Sequence, residues 1–479
     1  MFLNKLFKDI TDIPDEKFNA IEIRKIQYDS RKIEKGDLFV AVKGFKSDGH
    51  TYLQQVQKMG AAAAVVQEIK PGLNLVQIPV KDTRKVMALL AYNYYRENLK
   101  KLSIIGITGT NGKTTCSYLI QSMLQTAGIS CGLAGTIHYI IGTRKIDAWN
   151  TTPEAVDLYE MLSGMQQDGN KACVLEVSSH ALALNRVSGL NFKAAVFTNL
   201  SRDHMDFHSD MEEYFSEKRK LFTQLSTDGC AVINMDDNYG KRLTVQAEKL
   251  TYGLNSSSDV YPAEWKMDSY GTQLNINTPL GEIKIYSALI GEYNVYNILA
   301  SVATGLAMKL SLQNISKGIE SLKSVPGRLE KYVLGNGALA VIDYAHSPDA
   351  LQNALETLRK ITRGKLICLF GCGGDRDKGK RPQMGETAQR LADVVFITDD
   401  NPRTESPQAI IDDILAAVKL NDQIHVVPDR REAIRQAVRF AGKDDVILIA
   451  GKGHENYQII GTSKYNFNEA EIIRETDNA

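Results

Sequence analysis

Two stretches of the chain share one rhythm: a short run apolar on both faces, then a turn, then a helix-length segment. In the middle of the chain the runs are KLSIIGIT (101–108), ACVLEVS (172–178), AAVFTNL (194–200) and CAVINM (230–235). Toward the C-terminal end they are LAVIDYAH (339–346), KLICLFG (365–371), DVVFITD (393–399), IHVVPD (424–429) and DVILIAG (445–451), with helices predicted over 407–418 and 431–441. A strand with no polar face must be covered on both sides, and helices between parallel strands supply that cover. Two open, mostly parallel α/β sheets are therefore predicted. A smaller α/β unit precedes them, with strand-like runs at 37–42, 61–66 and 75–80, an amphipathic stretch at 52–59 and a helix at 83–95 striped by Val86, Leu89, Leu90 and Tyr94. Between 258 and 290 the pattern alternates and carries Gly and Pro turns, which predicts a small antiparallel patch. A chain of 479 residues is too long for one core at about 150 residues per domain. The resets in pattern divide it into 1–98, 99–331 and 332–479.

The 57 basic and 57 acidic side chains cancel, which disfavours a protein held to nucleic acid by phosphate neutralisation. No run approaches the roughly 18 apolar residues of a membrane span. The opening MFLNKLFKDITDIPDEK is broken by charges before an export-signal core can form. The six cysteines (Cys116, Cys131, Cys173, Cys230, Cys368 and Cys372) are scattered, and only the last two lie close together. Free thiols in a reducing cytoplasm are expected.

The strongest chemical signal follows KLSIIGIT. There GTNGKTT (109–115) joins a buried strand to a helix predicted over 113–126. That order is the context of a phosphate cradle, in which glycines let backbone N–H groups approach the oxygens and the helix N-terminus adds its positive end. Gly109, Thr110, Asn111, Gly112 and Thr115 supply the loop, Lys113 is placed to reach the β- and γ-phosphates, and the Thr114 hydroxyl to ligate magnesium. The loop is a variant, since Ile107 stands where the longer pattern opens on glycine, leaving Gly106 and Gly109 for the turn. No NKxD-type guanine-reading sequence is present, so ATP is the expected nucleotide.

Glu176 lies near the end of ACVLEVS, and Asp203 and His204 follow the next strand in NLSRDHMDFH (199–208). Each alone reads as readily as a turn or cap residue. Together, at strand ends beside the phosphate loop, they point to cation sites. Lys218, in YFSEKRKLF, reads from the residues alone as a solvated helix charge, as does Lys220.

These segments resemble the motifs of the Mur ligases. GTNGKTT, NTTPE (150–154), EVSSHAL (176–182), NLSRDHMDFH, GEYNVYN (291–297), PGRLE (326–330) and DYAHSPDAL (343–351) follow that family's order and spacing along the whole chain. The resemblance implies a small N-terminal α/β domain for the UDP end of a UDP-N-acetylmuramoyl-dipeptide, a central P-loop ATPase domain and a Rossmann-like C-terminal domain for the incoming amino acid. It implies that Lys113, Glu176, His204 and Lys218 serve catalysis. Lys218 would be carbamylated to N6-carboxylysine, and would hold two magnesium ions with Thr114, Glu176 and His204. Asn297, Arg328 and Asp343 match positions for the adenine, phosphates and ribose. Ser30 and the GFKSDG turn, with Phe45, Lys46 and Ser47, match the uridine-nucleotide region. Thr151, Thr152, Ser178 and Arg186 match contacts to the muramoyl-dipeptide, whereas Leu184 departs from the polar residue some relatives carry.

The incoming amino acid is addressed by DNPR, comprising Asp400, Asn401, Pro402 and Arg403, which resembles the type that selects meso-diaminopimelate. The chemistry agrees: an arginine grips the distal carboxylate with two parallel hydrogen bonds and repels the distal ammonium of lysine. By the same resemblance Arg376 binds a carboxylate, and Gly451 and Glu455 in GKGHE hold the distal end, Glu455 pairing with its ammonium. The implied reaction is ATP-dependent joining of meso-diaminopimelate to the D-glutamyl γ-carboxylate of UDP-N-acetylmuramoyl-L-alanyl-D-glutamate through an acyl phosphate, by a cytoplasmic monomer in peptidoglycan synthesis. A lysine-adding or other ligase of the family, and an ATP-binding protein without ligase turnover, are the alternatives.

Overall fold

The computed structural model describes residues 1–10, 20–44, 47–205 and 207–478. They fall into two compact units, one of Met1–Tyr261, Asn277–Gly281 and Tyr296–Gly318, the other of Pro262–Ile276, Glu282–Val295 and Ile319–Ala479.

The first unit holds two sheets. Strands β1 (Ile26–Gln27), β2 (Leu38–Val40), β3 (Ala63–Val66) and β4 (Val76–Pro79) form a parallel sheet in sequence order. Alternate residues feed opposite cores, as the two-residue period of a strand requires. Leu38, Val40, Ala63 and Val65 join a cluster with Met87, Leu90 and Ala91 of helix Thr83–Leu99. Phe39, Ala64 and Val66 pack with Leu53 and Val56 of helix Leu53–Lys58. Asp82 caps the longer helix by accepting the N–H of Lys85, and that helix runs one turn past the predicted end.

The larger sheet comprises β5 (Ser103–Thr108), β6 (Cys131–Ala134), β7 (His138–Ile141), β8 (Arg144–Asp147), β9 (Ala172–Glu176), β10 (Phe192–Phe197), β11 (Leu225–Asn234) and β12 (Glu248–Tyr252). Their order is β12-β11-β10-β5-β9-β6-β7-β8. Strands from β12 to β6 are parallel, and β7 and β8 extend the sheet antiparallel. The chain leaves β5 toward β6 on one side and later returns to place β10 on the other. The crevice at a reversal of this kind, beyond the carboxyl ends of the strands, is where open α/β sheets bind ligands. It brings the ends of β9, β5 and β10 side by side, with Glu176 in register with Ile107 and Phe197 with Thr108.

In the second unit, the stretch predicted to form a small patch folds as a three-stranded sheet of β13 (Tyr261–Met267), β14 (Thr272–Thr278) and β15 (Gly281–Ser287), whose turn Asn277–Gly281 is grouped with the first unit. A six-stranded sheet follows, comprising β16 (Glu330–Val333), β17 (Leu339–Asp343), β18 (Leu366–Phe370), β19 (Val394–Ile397), β20 (Ile424–Val426) and β21 (Val446–Ala450). Its order is β16-β17-β21-β18-β19-β20, parallel except for β16 against β17. Val341, Cys368, Phe370, Val395 and Leu448 face one core, while Ala340, Ile367, Leu369, Phe396 and Ile447 face the other. That double burial is why these strands lack a polar face in sequence. A hairpin of β22 (Tyr457–Ile460) and β23 (Ser463–Asn466) completes the unit.

The fully buried Arg430 donates to the Glu469 carboxylate (2.7 Å) and to the carbonyls of Asp399 (3.1 Å) and Ala450 (2.8 Å), tying the C-terminal helix Glu469–Asp477 to the loops after β19 and β21. All six cysteines are buried and unpaired, as the spacing predicted. Among the described residues no helix is long and apolar enough to cross a membrane.

Candidate active site

The phosphate loop leaves β5 at Gly109 and enters helix Lys113–Thr126 at Gly112. Both glycines have positive φ (+150° and +87°), and a Cβ would lie 1.8 Å from Thr198 Oγ1 at Gly109 and 2.3 Å from Asn297 Oδ1 at Gly112. Only glycine fits either position. The segment after β10 fixes the loop from outside. Thr110 donates its N–H to the Asn199 carbonyl (2.9 Å), Asn111 its N–H to Asn199 Oδ1 (3.0 Å), and Thr198 its hydroxyl to the Asn111 carbonyl (2.6 Å). Lys113 folds back over the loop, donating to the carbonyls of Gly109 and Thr110 at 2.9 Å each. The buried Asn297, on helix Glu292–Ala307, packs against the same loop and accepts from Cys116 Sγ at 3.5 Å.

Glu176 is completely buried at the end of β9. Its carboxylate accepts from Thr114 Oγ1 (3.0 Å), Thr136 Oγ1 (2.8 Å) and the Thr136 N–H (3.1 Å). A Cβ at Gly135 would come within 2.2 Å of this carboxylate, so glycine makes room for it. The Thr114 hydroxyl and the Glu176 carboxylate form a pair of hard oxygen donors at the mouth of the loop, the donor chemistry that magnesium takes.

Lys218 belongs to helix Met211–Arg219 and is buried, contrary to its solvated appearance in sequence. Its Nζ donates to the Gly109 carbonyl at 2.8 Å and lies 4.5 Å above the Tyr214 ring. Two lysines, 113 and 218, thus converge on one carbonyl oxygen. Burial first, and the charge of Lys113 second, hold the Lys218 amine well below the ordinary lysine value, with Asp203 opposing. His204 adopts a left-handed backbone (φ +57°), its N–H donates to Asp203 Oδ1 (2.8 Å), and its ring meets that of His180 edge-on at 4.9 Å. Among the described residues no three His, Cys, Asp or Glu side chains are grouped to hold a metal. Of the expected cation ligands, Thr114 and Glu176 are in direct contact, and Lys218 as an amine is a donor rather than a ligand.

Thr151, Thr152, Ser178 and Arg186 gather beside Glu176. Thr151 Oγ1 lies 3.1 Å from Thr136 Oγ1, Thr152 donates to the Glu176 carbonyl (2.8 Å), and the Ser178 N–H donates to Thr152 Oγ1 (3.1 Å). Arg186 donates to the Thr152 carbonyl (2.8 Å) and to the Glu154 carboxylate (2.6 Å). Leu184 closes the short helix Ser179–Ala183 as its C-cap. Ser30 opens a one-turn helix capped by Asp29 and is buried, while Ser47 is exposed and accepts the Gly44 N–H (2.9 Å). Phe45 and Lys46 lie outside the described residues.

In the second unit, Asp343 accepts the N–H groups of Leu329 (2.8 Å) and Ala345 (2.9 Å), and Arg328 stacks 4.9 Å over the Tyr344 ring. Burial raises the Asp343 carboxyl, with the Arg328 charge opposing. The DNPR turn follows β19. Asn401 donates through Nδ2 to Glu455 Oε2 at 2.9 Å, and burial raises the Glu455 carboxyl against that bond. Gly451, at φ +120°, brings the backbone so close to Asp400 that a Cβ would lie 2.6 Å from its carboxylate. Arg403 has φ +52° and donates to the Gly374 carbonyl (2.8 Å) and, more weakly, to that of Asn401 (3.4 Å). Arg376 is exposed and donates to the Asp375 carbonyl at 3.1 Å.

Three residues of this framework have no signature in sequence. Thr136 follows the four-residue β6, too short to announce itself. Lys452 is fully buried beneath the DNPR turn, and Arg381 lies fully buried against Glu405 and Asp413. The apolar run VILIAG precedes Lys452 and a charged stretch surrounds Arg381, and neither marks the side chain as facing inward.

Glycine loop, switch-point crevice and buried carboxylate define a P-loop enzyme fold, and the chain belongs to the Mur ligase family. The Mur ligase family catalytic domain matches residues 22–95, the Mur ligase middle domain 107–305, and the Mur ligase glutamate ligase domain 327–453. Among its relatives, a UDP-N-acetylmuramoyl-L-alanyl-D-glutamate–2,6-diaminopimelate ligase of Clostridium acetobutylicum is 44% identical over 98% of both chains. The ligase of the same name from Gloeobacter violaceus is 44% identical over 98% of this chain and 95% of its own. A solved structure of such a ligase, 32% identical, superimposes with a TM-score of 0.73 over 100% of this chain and 99% of its own.

The Glu405 carboxyl is held at about 2, against an ordinary 4.5, first by its hydrogen bond from Arg381 and then by the N–H of Asp375. A carboxyl lowered on folding stabilises the protein above its unfolded value and loses that contribution as pH falls through the folded one. Arg381→Leu is therefore expected to be less stable than wild type above pH 4.5, with the gap narrowing as pH falls toward 2. Denaturation of both proteins across that window checks it; a gap that does not change with pH would contradict it.

Proposed function

We propose that this chain joins meso-diaminopimelate to the D-glutamyl γ-carboxylate of UDP-N-acetylmuramoyl-L-alanyl-D-glutamate at the expense of ATP, a step of peptidoglycan assembly carried out by a monomer in the cytoplasm. The observation that carries the reading is the pairing, in one chain, of a phosphate loop beside a buried carboxylate with a DNPR turn that carries Arg403 and bonds Glu455 through Asn401. The names borne by its full-length relatives support the same assignment. Residues 1–98 would take the UDP end, 99–331 the ATP, and 332–479 the amino acid.

In this reading the γ-carboxylate oxygen attacks the γ-phosphorus of ATP, and ADP leaves. The diaminopimelate nitrogen then attacks the acyl carbon and loses a proton, and inorganic phosphate departs. Backbone N–H groups of the loop and the N-terminus of helix Lys113–Thr126 cradle the phosphates. Lys113 moves from the carbonyls it now holds to the transferring oxygens, placing positive charge where negative charge spreads. Thr114 and Glu176 would hold one magnesium ion, and carbamylated Lys218 with His204 and Glu176 a second, supplying charge neutralisation when bound. Asn297, Arg328 and Asp343 would contact adenine, phosphates and ribose. Ser30, Phe45, Lys46 and Ser47 would contact the uridine nucleotide, and Thr151, Thr152, Ser178 and Arg186 the muramoyl-dipeptide. The Arg403 guanidinium donates to the carbonyls of Gly374 and Asn401 and would turn its remaining N–H groups to a ligand carboxylate, and Glu455 would take the adjacent ammonium.

The depressed Lys218 amine supports the carbamate. An amine that sheds its proton more readily can attack carbon dioxide and, on losing a further proton, become an anion beside the Lys113 cation. Labelled bicarbonate should give a ¹³C carbamate signal in wild type and none in Lys218→Arg; a signal unchanged by that substitution would remove Lys218 as its bearer. ADP formation should require both the UDP-dipeptide and diaminopimelate. Arg403→Ala should cut kcat/KM for diaminopimelate by the roughly 1.5–3 kcal/mol of a charged hydrogen-bonded pair, about ten- to a hundred-fold. Turnover with lysine in preference to diaminopimelate, or a preference untouched by Arg403→Ala, would overturn the assignment of the turn.

A further inference from the structure

Lys452 is the least expected residue near the DNPR turn, because an ammonium with no solvent access is costly unless every N–H finds an acceptor. It has three acceptors for three protons: Asn401 Oδ1 and the Tyr457 carbonyl at 2.9 Å each, and Asp400 Oδ1 at 3.4 Å. Burial lowers its pKa and the Asp400 carboxylate opposes that. The arrangement has a consequence for Asn401. A lysine can only donate, so the Asn401 atom facing it must be the carbonyl oxygen, and the Ile459 N–H donates to that same oxygen at 2.9 Å. The amide nitrogen is thereby aimed at Glu455 Oε2. Hairpin β22–β23 clasps the turn from the same side. Gln458 Nε2 donates to the Asp400 carbonyl (2.9 Å), the Arg403 N–H to the Ile459 carbonyl (3.1 Å), and the Gly461 N–H to the Arg403 carbonyl (2.7 Å).

We infer that Lys452 is a positioning residue for recognition of the incoming amino acid, locking the amide orientation of Asn401 and joining the DNPR turn to the hairpin so that Arg403 and Glu455 stand at a fixed separation. The inference rests on the reading above that this turn receives the amino acid. Lys452 itself is sealed from the ligand. Its effect falls on where the two recognition groups stand, and displacement of positioning groups by about 1 Å costs on the order of a hundred-fold.

The test compares full-length wild type, Lys452→Met, which keeps the length of the side chain without its protons, and Gln458→Ala, which loosens the same clasp. KM for diaminopimelate should rise roughly ten-fold or more in Lys452→Met and about two- to five-fold in Gln458→Ala. KM for ATP and for the UDP-dipeptide should stay within about two-fold of wild type, because those ligands do not depend on the turn. An unchanged KM for the amino acid overturns the inference. So does a parallel shift of all three KM values and kcat, the mark of a merely structural residue. Should Lys452→Met not fold, Gln458→Ala is judged alone by the same split. Should wild type consume another amino acid instead, the substrate assignment fails, while the same comparison made with that amino acid still decides the role of Lys452.

Discussion

Glu176 carries a carboxylate with no access to water, and the first unit is arranged around making that tolerable. A buried charge survives only when hydrogen-bonded, and its donors come from two separate connections, Thr114 after β5 and Thr136 after β6. Both connections can reach it because the strand order seats β9 between β5 and β6. The same order puts β10 on the far side of β5, so that Thr198 and Asn199 brace the loop from there. Gly109, Gly112 and Gly135 are the clearances this crowding demands. The carboxylate, the loop and the sheet order are thus one constraint seen at three scales.

The second unit meets a different problem in a related way. The DNPR turn and the loop after β21 hold a guanidinium, Arg403, and a carboxylate, Glu455, on separate partners, Arg403 on backbone carbonyls and Glu455 on the Asn401 amide. Buried cations anchor the surroundings: Lys452 under Asp400 and Asn401, Arg381 on Glu405, and Arg430 between the ends of β19 and β21. Arg403 is held by backbone carbonyls and by main-chain bonds to β22, in a left-handed conformation uncommon for a residue with a side chain. Backbone strain of this kind persists only where surrounding bonds hold it.

Much of this was legible in the residues. Strands buried on both faces announced themselves as unbroken apolar runs, and helix Lys113–Thr126 has the bounds predicted from its glycine turn. Short or exposed elements did not: β8 is exposed along its whole length, and the four-residue β6 carries Thr136 to Glu176 with no periodicity to mark it. Lysines misled most. Lys218 sits among charges in YFSEKRKLF and Lys452 between two glycines, yet both are buried, because their environments are assembled from residues distant in sequence. Local composition reports what a side chain is, not which carbonyl it will meet. Family resemblance alone marks Lys218 in the sequence, and Lys452 carries no such mark.

In the proposed reaction ATP activates a substrate carboxylate as an acyl phosphate, which the amino acid then captures. Oxygen transfer tests it most directly. If the D-glutamyl γ-carboxylate of the UDP-dipeptide is labelled with ¹⁸O and the reaction run with ATP and diaminopimelate, one labelled oxygen should pass into inorganic phosphate for each amide bond formed. Phosphate free of label, formed alongside the amide product, would contradict the account.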